Sequence, residues 1–452
     1  MPSPTKLALL GGPKLGPVPP DPHPRFTERA VARSSALLRR GMTVGLGKHH
    51  PVILEAEKAI ARWQKVRHCM VVSSGHASLH VGLIGHEIGP GDEVITTPYS
   101  WGASTSCILH TGAVPVFTDV DPVTGLMDPR TIEPRITPRA RAILPVHIHG
   151  QPADMPAILK IARKHRLAVI EDGSQAHGAI AAGKMVGRWG DAAGFSCMGF
   201  KLIGTTEAGY LATPHDDVYW KAALSCQHMG RAPDPGFPER LRPYSDSLVY
   251  SYRLSPVTAV LLVEQLKKVD GENEGRRATV ALLRRFMAGL GMVTFPDYPR
   301  GDVPSYYTLS MNFRPDVAGV HRDTFERALV AEGLPVGHYV PSPIPHWERM
   351  RTDRGYRGPR TTWTEQLRRA GVDYRGERYP GAERKIDRSL DMDWNYIRRD
   401  AARMRAMADI FAKVEENIDS LRSWERRQSD HRKVREAHRP RKAQRSRREV
   451  II

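Results

Sequence analysis

The feature that most constrains this chain is an alternation. Short apolar runs (CMVV, DEVITTP, AVPVFTDV, ARAILPVHIHG, LAVIEDGS, DAAGFSC and AGYLATP) recur between residues 69 and 214, several separated by helix-like stretches. Apolar runs alternating with helices of about 10–15 residues predict an α/β fold with a mostly parallel sheet covered on both faces. In such sheets ligands settle beyond the carboxyl ends of the strands, so the polar residues at those ends carry the functional argument.

Length sets the rest of the organisation. A chain of 452 residues exceeds one simple core and suits two or three domains. Residues 1–50, rich in Gly, Pro and Arg, read as an arm plus one helix. Residues 51–255 read as the large domain. From Pro256 the sequence PVTAVLLVEQLKKVDGENEGRRATVALLRRFMAGL turns long, helical and amphipathic, and residues 256–421 read as a smaller α+β domain. Within it, residues 349–383 carry many Arg and Gly and read as an insertion loop. From Arg422 onward the chain is dominated by Arg, Lys and His, which accounts for much of the net charge of +18. So few apolar residues predict a disordered or frayed helical tail at 422–452. A charge run alone specifies a partner weakly, so the tail is read as solvated and not as a nucleic-acid arm.

The four cysteines, Cys69, Cys107, Cys197 and Cys226, form no CxxC pair and show no metal-ligand spacing, so no metal is expected. LALL near the start is too short for a signal segment, and no apolar run approaches the roughly 18 residues of a membrane span. The expectation is a cytoplasmic enzyme with reduced thiols and no membrane association.

The strand ends supply candidates for a carbonyl cofactor that acts as an electron sink. Asp172 closes LAVIED, where a carboxylate pairs with a protonated ring nitrogen; the alternative is a helix cap. Lys201 follows GFSC, where burial turns an amine into a nucleophile; the alternative is a surface lysine. Ser74, Gly75 and His76 open a helix straight after a strand, a position that suits a phosphate or a plain turn. Trp101 lies just past another strand end, placed to stack on an aromatic ring or to pack in the core. Ser196 is within reach of the same phosphate, and Gln175 of a phenolic oxygen.

In order and spacing these pieces resemble the DegT/DnrJ/EryC1/StrS family of aminotransferases acting on nucleotide sugars and cyclitols. The resemblance runs from about Leu7 to about Leu421. It rests on SSGHASLHVGL, GPGDEVITTPYSWGAS, GAVPVFTDVDPVTGLMDP, AILPVHIHGQPADM, VIEDGSQAHGA, FSCMGFKLIGTTEAGYL, CQHMGR and YSYRLSPVTAVLLVEQLKKVD. It implies a fold-type I architecture, with a mostly parallel seven-stranded sheet between helices and a smaller α+β domain. It also implies a homodimer with shared active sites and pyridoxal 5'-phosphate (PLP) held by Lys201 as a Schiff base. Asp172, Gln175, Ser196 and Glu207 match the family pattern. The implied reaction moves an amino group from glutamate or glutamine to a keto-sugar, keto-cyclitol or related ketone. An aromatising dehydratase on the same scaffold and a regulator that has kept the fold are the alternatives.

Four positions depart from the pattern. Ser251 stands where the family has an Asn that reaches the neighbouring subunit's phosphate. Leu202 replaces Asn, TEAG replaces GEGG, and His149 replaces Tyr. His228 and Arg231 in CQHMGR, and His338, Tyr339 and His346 in VGHYVPSPIPHWE, are the substrate-contact candidates; a structural role is the alternative for each.

Overall fold

A computed structural model describes residues 6–41, 50–226, 234–246, 248–352 and 362–437. Twelve strands follow one another along them: β1 (His68–Val72), β2 (Glu93–Thr96), β3 (Val114–Phe117), β4 (Ala140–Ile143), β5 (Ala168–Asp172), β6 (Ile180–Ala181), β7 (Lys184–Met185), β8 (Ala192–Ser196), β9 (Gly209–Thr213), β10 (Val293–Thr294), β11 (Thr308–Phe313) and β12 (Ser389–Asp393). Seven of them form one sheet in the order β1-β9-β8-β5-β4-β2-β3. Pairing is parallel from β8 through β3, and only β9 runs against its neighbours. The mostly parallel seven-stranded sheet is therefore present. A second sheet, β10-β11-β12, is antiparallel.

The near-continuous apolar runs are explained by burial on both faces. In β5, Val169, Ile170, Glu171 and Asp172 are all buried. The helix Gly75–Gly85 is buried around most of its circumference, as expected for a helix pressed between a sheet and other helices. The helix Met155–His165 is set by its ends: Asp154 Oδ1 accepts from Ala157 N (3.1 Å), Pro lies in its first turn, and Arg166 closes it in a left-handed conformation.

Four expectations are revised. ARAILPVHIHG is a strand only over Ala140–Ile143; Pro145 lacks an N–H for the ladder, and the chain then coils through a short 3-10 turn in which His149 adopts φ 62°. The long helix expected from Pro256 is two, Pro256–Leu266 and Val269–Phe286.

The Arg/Gly-rich segment 349–383 is not simply a loop. Helices Thr362–Arg369 and Pro380–Arg388 occur in or overlap it, and Leu367, Tyr374, Tyr379 and Ala382 join the core around β3. Tyr374 Oη donates to Pro115 O (2.6 Å) and Gln366 Nε2 to Ala113 O (2.6 Å). Low overall hydrophobicity concealed a few apolar residues gathered on one face, with arginines on the other. Leu367→Ala is therefore expected to lower the unfolding free energy by about 2–4 kcal/mol, whereas a loop residue would shift it by roughly 0.5 kcal/mol or less. Denaturant titration reads the difference.

The basic tail is also ordered over part of its length. A helix spans Ile418–Ala437. Glu425 Oε1 accepts from His321 N (2.9 Å) and Thr324 Oγ1, and Arg422 Nε donates to Ala318 O (2.8 Å). These contacts supply ordering that composition does not reveal. Residues 438–452 lie outside the described residues.

The arm at the start of the chain packs on the second sheet's core, where Leu7 and Val18 are buried. The helix Glu28–Arg39 follows it. No described helix is long and apolar enough to cross a membrane.

Candidate active site

Five segments, four of them following strands of the large sheet, converge on one cavity of about 380 Å³, in the size range of small-molecule sites. Ser74, Gly75 and His76 reach it from the turn after β1, Trp101 from beyond β2, Asp172 and Gln175 from β5 and its turn, and Ser196 and Lys201 from β8 and its turn. Tyr339 reaches it from the far side.

Lys201 is 8% exposed. Its amine hydrogen-bonds to no described residue and sits 4.4 Å from the centre of the Tyr307 ring. Burial lowers its pKa to about 8, against the opposing pull of Asp172, Asp393, Cys197 and Glu207. The backbone is pinned from outside, since Lys201 O lies 2.8 Å from His23 Nε2.

Asp172 is held on both oxygens. Oδ2 accepts from Ser104 Oγ (2.6 Å), itself paired with Ser100 Oγ, and Oδ1 accepts from Ser174 N (3.0 Å). The preceding Glu171 is buried and accepts from the amides of Gly187, Trp189 and Gly190, which anchors the end of β5. Gln175 Oε1 accepts from His149 N (2.6 Å), and its Nε2 donates to Tyr339 Oη (2.9 Å). The left-handed turn at His149 is what directs that amide; burial lowers the imidazole pKa to about 4.

The cup at Ser74–His76 is shaped by absent side chains. A Cβ on Gly75 would run into the Ser196 side chain, and one on Gly209 would meet the Ser74 carbonyl. Ser74 caps the helix, its Oγ accepting from Ala77 N (3.1 Å). The first amides of any helix lack partners within it, and here Gly75 and His76 line the cavity. Burial, with repulsion from His110, lowers the His76 pKa to about 4. Trp101 is 63% exposed, with its ring 6.4 Å from that of Tyr339.

Other candidates lie elsewhere. Ser251 is exposed in a left-handed conformation and does not line this cavity. His338 pairs with Glu326 (3.2 Å) at the wall of a neighbouring cavity. His346 does not line this cavity: Nε2 lies 2.9 Å from Glu377 O, and its ring is 5.7 Å from that of Tyr379. His228 and Arg231 fall outside the described residues. Sequence reasoning did not single out Ser104 or Tyr307. Ser104 is three residues past Trp101 and offered a weak signal; Tyr307 offered none, because it precedes β11 of the other sheet.

The DegT/DnrJ/EryC1/StrS aminotransferase family model matches residues 28–373. The chain belongs to that family. A Streptoalloteichus tenebrarius protein, named provisionally as an L-glutamine:3-amino-2,3-dideoxy-scyllo-inosose aminotransferase, is 34% identical over 92% of this chain and all of its own length. The L-glutamine:2-deoxy-scyllo-inosose aminotransferase of the same organism is 33% identical over 78% of this chain and 84% of its own. The crystal structure of an aminotransferase from Psychrobacter cryohalolentis superposes with a TM-score of 0.77 at 25% identity, covering 89% of this chain and all of that one. The protein is an aminotransferase with the family's α/β fold.

Proposed function

We propose that this aminotransferase uses PLP, carried by Lys201, to move an amino group from glutamine or glutamate to a keto-cyclitol or related keto-sugar. The observation that carries the reading is the Lys201 amine, buried and without a hydrogen-bond partner among the described residues, in one cavity with the doubly held Asp172. The named substrates of the two Streptoalloteichus relatives support the acceptor class.

The residues present fit PLP. Ser74, Gly75, His76 and Ser196 form a cup suited to a phosphate, and the bare Gly75 and Gly209 let its walls pack closely. Asp172 offers a carboxylate to the pyridine nitrogen, Gln175 an amide to the phenolic oxygen, and Trp101 an aromatic face. When bound, PLP supplies a carbonyl that exchanges amines and a protonated ring that draws off electron density.

Each side chain then has one task. Asp172, fixed in place by Ser104 and Ser174, would hold a proton on the ring nitrogen. Lys201, with its pKa lowered to about 8, would become a neutral amine as pH rises past that value and would take the proton from the substrate's Cα. Tyr307 and Tyr339 wall off water on the side of the second sheet. The same reading includes a homodimer in which Ser251 faces the neighbouring subunit. Exposed Leu248 and Tyr250 beside it support an apolar contact there.

The test is spectroscopic. Glutamine is expected to bleach the cofactor's visible absorbance in the purified holoenzyme, and 2-deoxy-scyllo-inosose or its 3-amino analogue is expected to restore it. No change with either glutamine or glutamate would refute amino transfer.

A further inference from the structure

Lys201 lies between two carboxylates. Asp172 ends β5 of the large sheet, and Asp393 ends β12 of the second. Burial lowers the pKa of the amine between them, and Asp172 and Asp393 oppose that fall more strongly than Cys197 and Glu207 do.

The two carboxylates differ in freedom. Asp172 is held on both oxygens, by Ser104 and Ser174, and in the reading above it pairs with the ring nitrogen. Asp393 is exposed, and its carboxylate makes no hydrogen bond or ion pair among the described residues. The wall around it and Asp391 push its pKa up, and Lys201 pulls the other way.

The backbone brings Asp393 to Lys201 from two sides. Tyr307, whose ring centre lies 4.4 Å from the Lys201 amine, precedes Thr308, and Thr308 faces Asp393 across β11 and β12. Trp394 N, one residue past Asp393, donates to Tyr307 O (3.0 Å). Phe200 and His23 line the same cavity of about 620 Å³ as Asp393. Phe200 precedes Lys201, and His23 Nε2 lies 2.8 Å from Lys201 O.

The other charges on that wall have partners. Asp21 pairs with Arg398 (2.7 Å) and Arg403 (3.1 Å). Asp391 Oδ2 accepts from Tyr339 N (2.8 Å), and its charge acts on the buried Lys385. His338 pairs with Glu326. Of the remaining groups that face the amine, burial keeps His177 and Cys197 uncharged.

We propose that Asp393 is a positioning residue: it takes the Lys201 amine when a substrate amine displaces it, and it pairs with the ammonium that Lys201 becomes on accepting the substrate's Cα proton. The proposal rests on the PLP reading above. In that step the Cα–H bond breaks, the proton goes to Nζ, and the electron pair stays with the substrate and the cofactor ring. Asp172 cannot serve, because its charge is committed to the ring nitrogen. The long, flexible lysine stem permits the swing toward the second sheet.

Trace acetylation of the cofactor-free full chain by acetic anhydride, read at the Lys201 peptide, tests the pairing without PLP. Only the neutral amine reacts, so the pH midpoint reports the lysine and is expected at about 8 in the parent. D393N is expected to move that midpoint down by about half to one pH unit, since loss of an opposite charge favours the neutral amine. D393E is expected to bring it back. Asp393 is exposed, so both variants are expected to keep the parent's thermal midpoint. A pH midpoint that D393N leaves in place, or that D393E fails to restore, overturns the proposal. In the holoenzyme, the rate constant for bleaching by glutamine is expected to fall about tenfold in D393N at unchanged cofactor content, the lower end of a hydrogen bond to a charged group. An unchanged rate constant overturns the proposal. If glutamine leaves the parent spectrum unchanged, the aminotransfer reading falls, and the acetylation profile still decides whether Asp393 pairs with Lys201.

Discussion

Lys201→Ala is expected to lower transamination by about four orders of magnitude, because one change removes both the nucleophile and the proton carrier. Borohydride, which fixes PLP to the peptide containing Lys201 in the parent protein, is expected to fix none in the variant. Labelling that persists would remove Lys201 from this role. The pH dependence gives a second reading. With a pKa of about 8, the amine of the cofactor-free protein is mostly protonated below that value. The rate of cofactor capture is expected to rise about tenfold per pH unit up to about 8 and then level off. The sign for stability is the reverse of a salt-bridged lysine. A folded pKa below the usual lysine value of 10.5 means that burial of the charged amine costs stability below about pH 8, and that the cost fades as pH rises toward 10.5. Loss of activity in Lys201→Ala is thus expected without loss of stability, which a thermal midpoint at neutral pH checks.

Asp172→Asn is the second large effect. The amide keeps the volume of the carboxylate, and the Ser100–Ser104 hydroxyl pair can reorient, because either oxygen can donate. The fold is therefore expected to survive while the negative charge is lost. An uncharged partner no longer holds the proton on the ring nitrogen, and kcat per bound cofactor is expected to fall about 10²–10³-fold. A merely structural Asp172 would instead lower cofactor occupancy and thermal midpoint, with kcat per bound cofactor unchanged.

The large sheet was legible in the sequence because its strands are buried on both faces and so read as unbroken apolar runs. That Asp172, Ser196 and Lys201 line one cavity was legible because all three lie at or just past strand ends. The same logic fails across the two sheets. Tyr307 and Asp393 flank β11 and end β12, reaching the Lys201 neighbourhood from a sheet whose placement no local pattern encodes. Segment 349–383 misled because average composition hides which face Leu367 and Tyr374 share. The tail's helical part was anticipated but its docking was not, because Glu425 finds its partners at His321 and Thr324, about a hundred residues away. His346 shows the converse: a histidine in a promising motif is held by a main-chain carbonyl at Glu377.

The arm at the start of the chain sets a timetable. Ala8 N and Leu15 N donate to Glu332, Tyr396 Oη donates to Val18 O, and Lys413 Nζ donates to Pro13 O. These contacts join residues as far as 400 positions apart. On a ribosome adding about 5–20 residues per second, the arm waits roughly 20–80 s for Lys413 to be made. Residues 168–213, which supply Asp172, Ser196 and Lys201, are complete long before. The cavity around Lys201 is thus assembled from the middle of the chain outward, and the arm is fastened down only once residues 332–413 have followed.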